Sequence, residues 1–110
     1  IGANTYLCEA TRIFTTGAID SGAKPSTASA ITKYHLTELS RETINDAMDV
    51  HAGRGIMMGQ HNYLANLHTA MPIGITVEGA NILTRNLIIF GQGAIRCHLY
   101  LSKELEALNM

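Results

Sequence analysis

A run of 26 residues, from Ser26 to His51, contains neither glycine nor proline. Pro25 directly before it and Gly53 shortly after it are residues typical of helix boundaries. At about 1.5 Å per residue, this run predicts a helix close to 40 Å long. Its apolar and small residues cover much of the helix circumference, so we expect it to lie in the middle of a helical bundle.

Helical spacing of apolar residues from Tyr6 to Ala18 also predicts a helix that ends near residues 20–22. The glycine-rich stretch 52–59 predicts irregular structure, because glycine weakens helices. A short helix is predicted over residues 63–69, and Pro72 and Gly74 predict a further break.

The last long helix is predicted to open near Glu78 and Gly79. Its apolar residues are spaced to pack against another helix, at Ala80, Leu83, Leu87, Phe90 and Ala94. Residues 103–108 predict another turn or two of helix. Because no segment shows the alternation of a strand, the sequence predicts an all-α fold, a partial antiparallel helical bundle.

Charge and hydropathy limit the possible partners. The 110 residues carry a net charge of −1, which gives no electrostatic basis for binding nucleic acid or an anionic membrane surface. Charged residues make up only 15% of the chain and hydrophobic residues 46%, so apolar surface must remain exposed or be covered by other protein. Uninterrupted apolar runs, such as residues 87–90, are far shorter than a membrane span.

Cysteine and histidine positions argue against a disulfide framework and against a metal site. Cys8 and Cys97 are far apart with no other sign of secretion, so we expect reduced thiols in a cytoplasmic protein. The five histidines lack the i,i+4 spacing of helical metal ligands, so no metal is expected at His35, His51, His61, His68 or His98.

Two segments are candidates for function, and each has a structural alternative. Residues 49–55 close the long helix, so taken alone they favour a glycine C-cap and turn over a loop that binds a phosphate group. Glu78 is the one charged residue between Met71 and Asn81. The sequence around Glu78 fits two interpretations equally well. Glu78 is either a glutamate in the first turn of a helix, stabilised by the helix dipole, or a general base whose pKa is raised by burial in an apolar pocket.

These two segments carry a resemblance to a known family. Residues 77–85, Val-Glu-Gly-Ala-Asn-Ile-Leu-Thr-Arg, followed by Leu-Ile-Ile at 87–89, resemble the Tyr-Glu-Gly-Thr-x-x-Ile-x-Arg-Leu-Ile-Ile segment of acyl-CoA dehydrogenases. Residues 49–55 resemble that family's Gln-x-His-Gly-Gly-x-Gly loop, at a similar separation. Ala-Ile-Thr-Lys at residues 30–33 also fits the family pattern.

The resemblance implies a flavoprotein that oxidises fatty acyl-CoA to trans-2-enoyl-CoA. It implies that Glu78 is the catalytic base and that Gly79 lets substrate approach closely. It also implies that His51, Gly53 and Gly55 contact the adenosine-diphosphate part of FAD, typically in a neighbouring subunit. The implied partners are an acyl-CoA substrate, an electron-transfer flavoprotein or equivalent acceptor, and further copies of the chain in a homo-oligomer.

The resemblance covers only the C-terminal helical domain of such an enzyme, without its first bundle helix. Residues 1–96 are therefore predicted to be an incomplete bundle domain, inactive alone. Residues 97–110 are predicted to start a C-terminal extension, as in the large bacterial enzymes of fatty-acid β-oxidation.

The chain departs from the family pattern at four positions, namely Asp49, Ala52, Ala80 and Ile82. These departures leave open a rival interpretation, a non-enzymatic helical interaction module.

Overall fold

The computed structural model describes residues 1–109, which are largely helical and contain no strand. Helices α1 and α2 are long, α3 is a single turn, and α4 to α7 follow. Their bounds are α1 Gly2–Asp20, α2 Ser26–His51, α3 Gly53–Ile56, α4 Ala65–Thr76, α5 Asn81–Leu83, α6 Phe90–Cys97 and α7 Leu101–Leu108. A π-helical stretch, Thr84–Ile89, joins α5 to α6 in one continuous helix. The all-α prediction is confirmed.

Helices α1 and α2 form an antiparallel hairpin. Asn4 Nδ2 lies 3.4 Å from Thr43 Oγ1, and the Thr15 and Thr32 hydroxyls lie 3.2 Å apart. The two positions on α1 are eleven residues apart, as are the two on α2, but the order is reversed. This pairing fixes the register over about three turns of both helices.

Helix α2 is central, as its sequence predicts. It packs against α1, α4 and the π-helical stretch, and α3 folds back on its end. Its buried residue is the small Ala30, 9% exposed, which lets neighbouring helices approach closely.

The predicted break at Pro72 and Gly74 is wrong, because α4 runs through both residues. A β-carbon on Gly74 would lie 3.2 Å from Met71 Cε and 4.0 Å from Thr37 Cγ2 of α2. Gly74 therefore lies where α4 approaches α2, and buried Ile75 follows it, 8% exposed. Tertiary packing here outweighs the weak helix propensity of proline and glycine.

Two other boundaries differ from the sequence prediction. A single helical turn, α3, forms within the stretch predicted to be irregular. The last helix begins at Asn81, after Glu78 and Gly79 rather than at them. Glu78 and Gly79 instead belong to a loop, residues 77–80, that joins α4 to α5.

The chain leaves large apolar faces open. The described residues extend over 63 × 28 × 20 Å, and the buried apolar residues are Ala30, Leu64 and Ile75. The predicted packing seam is exposed, with Leu87 66% and Phe90 73% accessible. Such faces are typical of a bundle completed by other protein segments.

By length and composition alone, the segment Ala65–Cys97 is long and apolar enough to cross a membrane, and 11% of its most apolar window is buried. Its backbone leaves helical geometry at residues 77–80, with Glu78 in the gap. Lipid-exposed irregular backbone is not stable in hydrocarbon, so the geometry favours packing against protein.

Candidate active site

The 77–80 loop has an unusual backbone. Glu78 has φ 53° and Gly79 has φ 85°, so two consecutive residues lie in the left-handed region. Glycine adopts this region freely, whereas for glutamate it is uncommon. Conformations of this kind cost of the order of 1–3 kcal/mol and persist where the surroundings enforce them, often at functional sites.

The side chain of Glu78 is exposed. It does not occupy the first turn of a helix, because α5 begins at Asn81 with Ala80 as its N-cap residue. The described residues also do not enclose it in an apolar pocket. Neither environment expected for Glu78 is therefore formed by this chain alone, and any such pocket has to be closed by other segments.

Three hydrogen bonds from Lys33 of α2 hold the loop. The Lys33 ammonium donates to the Gly79 carbonyl at 3.0 Å and to the Ile75 carbonyl at 3.3 Å. It also donates to the side-chain oxygen of Asn81. The three acceptors lie before, within and after the loop, so one cation joins α4, the loop and α5 to α2.

Asn81 and Thr84 are the most deeply buried polar residues, each 3% exposed. Asn81 Nδ2 donates to Thr37 Oγ1 at 2.8 Å and to Glu38 Oε1 at 3.1 Å, both on α2. The Thr84 hydroxyl donates to the Gly79 carbonyl at 3.2 Å. The Gly79 oxygen thus accepts two hydrogen bonds, and its peptide plane is fixed from two sides.

Sequence reasoning did not identify this polar cluster. The sequence does contain one signal of it. Two polar residues, Lys33 and Thr37, lie at i,i+4 spacing, and so on one face, of a helix that is predicted to be buried on most sides. Their partners, however, lie more than 40 residues away in sequence.

The second candidate segment forms a tight turn at the end of α2. Ala52 has φ 47° and ψ −127°, a combination that favours glycine strongly. Gly55 is buried, and a β-carbon on it would lie 3.2 Å from the Met48 side chain. His51 Nδ1 lies 2.8 Å from the Ala47 carbonyl, and Nε2 lies 2.5 Å from the Tyr63 hydroxyl. His51 and Gly55 therefore already have structural roles within the chain.

An open groove of about 420 Å³ adjoins this turn, and its lining residues all lie between His51 and Leu64. Arg54 supplies a cation to it. Asn62 also lines the groove and joins the two helices beside it. Its Nδ2 donates to the Gly55 carbonyl of α3 at 2.9 Å, and its Oδ1 accepts from the Ala65 amide of α4 at 2.8 Å.

In a comparison with protein-family models, residues 4–91 match the acyl-CoA dehydrogenase C-terminal domain. The chain belongs to the acyl-CoA dehydrogenase family. The matched residues include α1 from Asn4 onward, α2 to α5, the π-helical stretch and both candidate segments. The membership of this family expected from the sequence is therefore confirmed. No solved structure matches this chain.

Acyl-CoA dehydrogenases are generally FAD-dependent, so the turn has to be compared with the needs of that cofactor. Gly53 has nothing within 4 Å of an added β-carbon and no positive φ, so packing within this chain does not require glycine there. An open glycine beside the cationic Arg54 fits close approach by a phosphate group. The turn therefore offers an open glycine and a cation, which are compatible with the phosphate groups of FAD.

The two motifs of this acyl-CoA dehydrogenase domain lie far apart in one copy. Lys33, which holds the 77–80 loop, and His51, which begins the turn, are eighteen residues apart on α2. This corresponds to about 27 Å along the helix axis. The structure therefore does not bring the Glu78 loop, residues 77–80, close to the glycine turn, residues 52–56.

Proposed function

We propose that this chain is the C-terminal bundle of a FAD-dependent enzyme that oxidises fatty acyl-CoA to trans-2-enoyl-CoA, and that Glu78 is its catalytic base. The observation that supports this most directly is the loop conformation of Glu78 and Gly79. Glu78 lies in the left-handed region, is exposed, and is held through its neighbours by part-buried hydrogen bonds. It stands in the segment whose sequence resembles the family's base motif.

The geometry suits proton removal next to a carbonyl. The Glu78 carboxylate takes the α-proton of the acyl group, while its amide N–H donates to the thioester oxygen on which negative charge develops. No residue among 1–109 accepts a hydrogen bond from that N–H, so the donor is available to substrate. The chemistry that FAD would supply when bound is acceptance of the β-hydrogen as hydride.

Gly79 leaves room beside the reacting atoms. Its nearest contact for an added β-carbon is Thr84 Oγ1 at 3.8 Å, and its φ of 85° favours glycine. A thioester can therefore lie against the loop backbone.

The proposed pocket around Glu78 needs protein segments beyond the described residues, since Glu78 is exposed here. Closure of those segments over Glu78 would exclude water from the reacting groups. The 110-residue chain alone is therefore expected to be inactive.

The glycine turn at residues 52–56 is proposed to contact the adenosine-diphosphate part of FAD through Gly53, with His51 and Gly55 shaping the turn. Its distance from the Glu78 loop along α2 supports contact with the flavin of another copy in a homo-oligomer. An electron-transfer flavoprotein or equivalent is the proposed acceptor, in the cytoplasm. The boundary at residue 96, with a C-terminal extension of the large bacterial type after it, also stays a prediction.

The test is turnover by the full-length flavin-loaded protein. Glu78→Gln should lower kcat by at least about 10²-fold with FAD retained, because the amide keeps the shape but cannot accept the proton. Glu106→Gln, which changes an exposed glutamate on α7, is the matched control and should leave turnover unchanged. Near-normal turnover by Glu78→Gln would refute the assignment of the base.

A second candidate is a non-enzymatic helical interaction module. Ala80 and Ile82 replace polar family residues that help hold FAD, and Ile82 is 76% exposed. A full-length protein that binds no flavin would favour this alternative.

A further inference from the structure

We propose that Lys33 is a positioning residue, which acts by holding the Glu78 loop in its reactive conformation and does not itself contact substrate. This inference rests on the proposed role of Glu78 and assigns a role to a residue on a different helix. It depends on the three hydrogen bonds of the Lys33 ammonium, which use all three of its N–H donors.

A cation suits the end of α4. The Ile75 carbonyl belongs to the last turn of α4, where carbonyl groups lack helical partners and the helix dipole is negative. The last turn of α4 contains no basic residue of its own. Lys33 supplies that charge from α2 and so fixes the point at which the chain leaves α4.

The Gly79 carbonyl is the second point that Lys33 holds. Lys33 and Thr84 both donate to this oxygen, which fixes the peptide plane that follows Gly79. With the Ile75 carbonyl held on one side and the Gly79 carbonyl on the other, the three intervening residues must turn within a short span. The left-handed conformations of Glu78 and Gly79 accommodate this turn.

Asn81 completes the arrangement. Its side-chain nitrogen donates to Thr37 and Glu38, which orients its oxygen towards Lys33. The start of α5 is thereby joined to the same face of α2 as the end of α4. Without the ammonium, the Gly79 and Asn81 oxygens lose a donor, and Glu78 is free to relax to negative φ.

The test is Lys33→Met in the full-length flavin-loaded enzyme, since methionine approximates the length of lysine without its donors. If the substitution misplaces the base, kcat should fall by up to about 10²-fold, while KM should change much less. The α-proton kinetic isotope effect, measured with α-deuterated acyl-CoA, should rise as proton removal becomes more rate-limiting. Lys24→Met, at an exposed lysine in the turn before α2, is the control and should match wild type.

These measurements separate positioning from general destabilisation. A smaller folded fraction lowers apparent kcat but leaves KM and the isotope effect unchanged, and that result would overturn the proposal. If Lys33→Met fails to fold, Thr84→Val replaces it, because it removes the other donor to Gly79 while keeping the side-chain shape. Thr84→Val should shift kcat and the isotope effect in the same directions, and unchanged values would contradict the proposal.

Glu78→Gln in parallel distinguishes the two hypotheses. If Glu78→Gln is inactive and Lys33→Met behaves as wild type, only the positioning role fails. If Glu78→Gln is fully active, the proposed base itself is wrong.

Discussion

Replacing Ala52 with glycine should stabilise the fold. Ala52 follows α2 with φ 47° and ψ −127°, where a β-carbon is strained, and the cost is about 1–3 kcal/mol. Glycine removes that strain but makes the unfolded chain more flexible, which costs about 0.4–1 kcal/mol. The net expectation for Ala52→Gly is a free energy of unfolding higher by about 1 kcal/mol.

Urea unfolding followed by helical circular dichroism measures this change. With a typical slope of about 2 kcal/mol per M, the midpoint should rise by roughly 0.5 M. All variants are compared at one protein concentration, because self-association shifts the midpoint.

Ala10→Gly is the matched control. Ala10 is exposed in the interior of α1, where glycine should lower stability by about 1 kcal/mol. The two substitutions make the same chemical change. Opposite changes in the free energy of unfolding would therefore be due to the different backbone conformations at the two positions. A loss of stability in Ala52→Gly similar to that in Ala10→Gly would refute the strained turn.

Two further predictions concern the cofactor and the open surface. Gly53→Val in the full-length protein should lower FAD retention after gel filtration more than it lowers stability, because none of residues 1–109 fills the space at Gly53. Gly17→Val, at an equally open helical glycine, is the control, and equal flavin in both variants would limit the turn to a structural role. The 110-residue chain alone should be helical, colourless and self-associated through its exposed apolar faces, including Leu87 and Phe90. A monomer at every concentration in light scattering, with a sharp cooperative melt, would contradict this.

The sequence predicts the long elements of the fold well. Helix α2 has the predicted bounds because proline and glycine flank a run without either residue, and this signal is local. Its central position also follows from its composition, since small and apolar residues surround it.

The incorrect boundaries have a different origin. The sequence predicts that a helix is interrupted at Gly74, but in the fold Gly74 lies where α4 approaches Thr37 of α2. That contact joins residues 37 positions apart in the chain, so no local pattern encodes it. Packing of Ile75 against the bundle then carries the helix through Pro72.

The candidate site can be predicted only in part from the sequence. The motif locates Glu78 and Gly79, but a positive φ at a glutamate has no sequence signature. The support from Lys33 depends on contacts with residues 42 to 48 positions away. The environment of the Glu78 carboxylate depends on protein outside the described residues, because this chain leaves the side chain exposed.

The most direct test of the central claim is the flavin absorption spectrum of the full-length protein during anaerobic mixing with acyl-CoA. The wild-type protein should lose its visible flavin band on addition of substrate. Glu78→Gln should keep bound flavin but lose the band at least about 10²-fold more slowly, because the α-proton has no acceptor. Equal rates of bleaching in the two proteins would show that Glu78 is not the base.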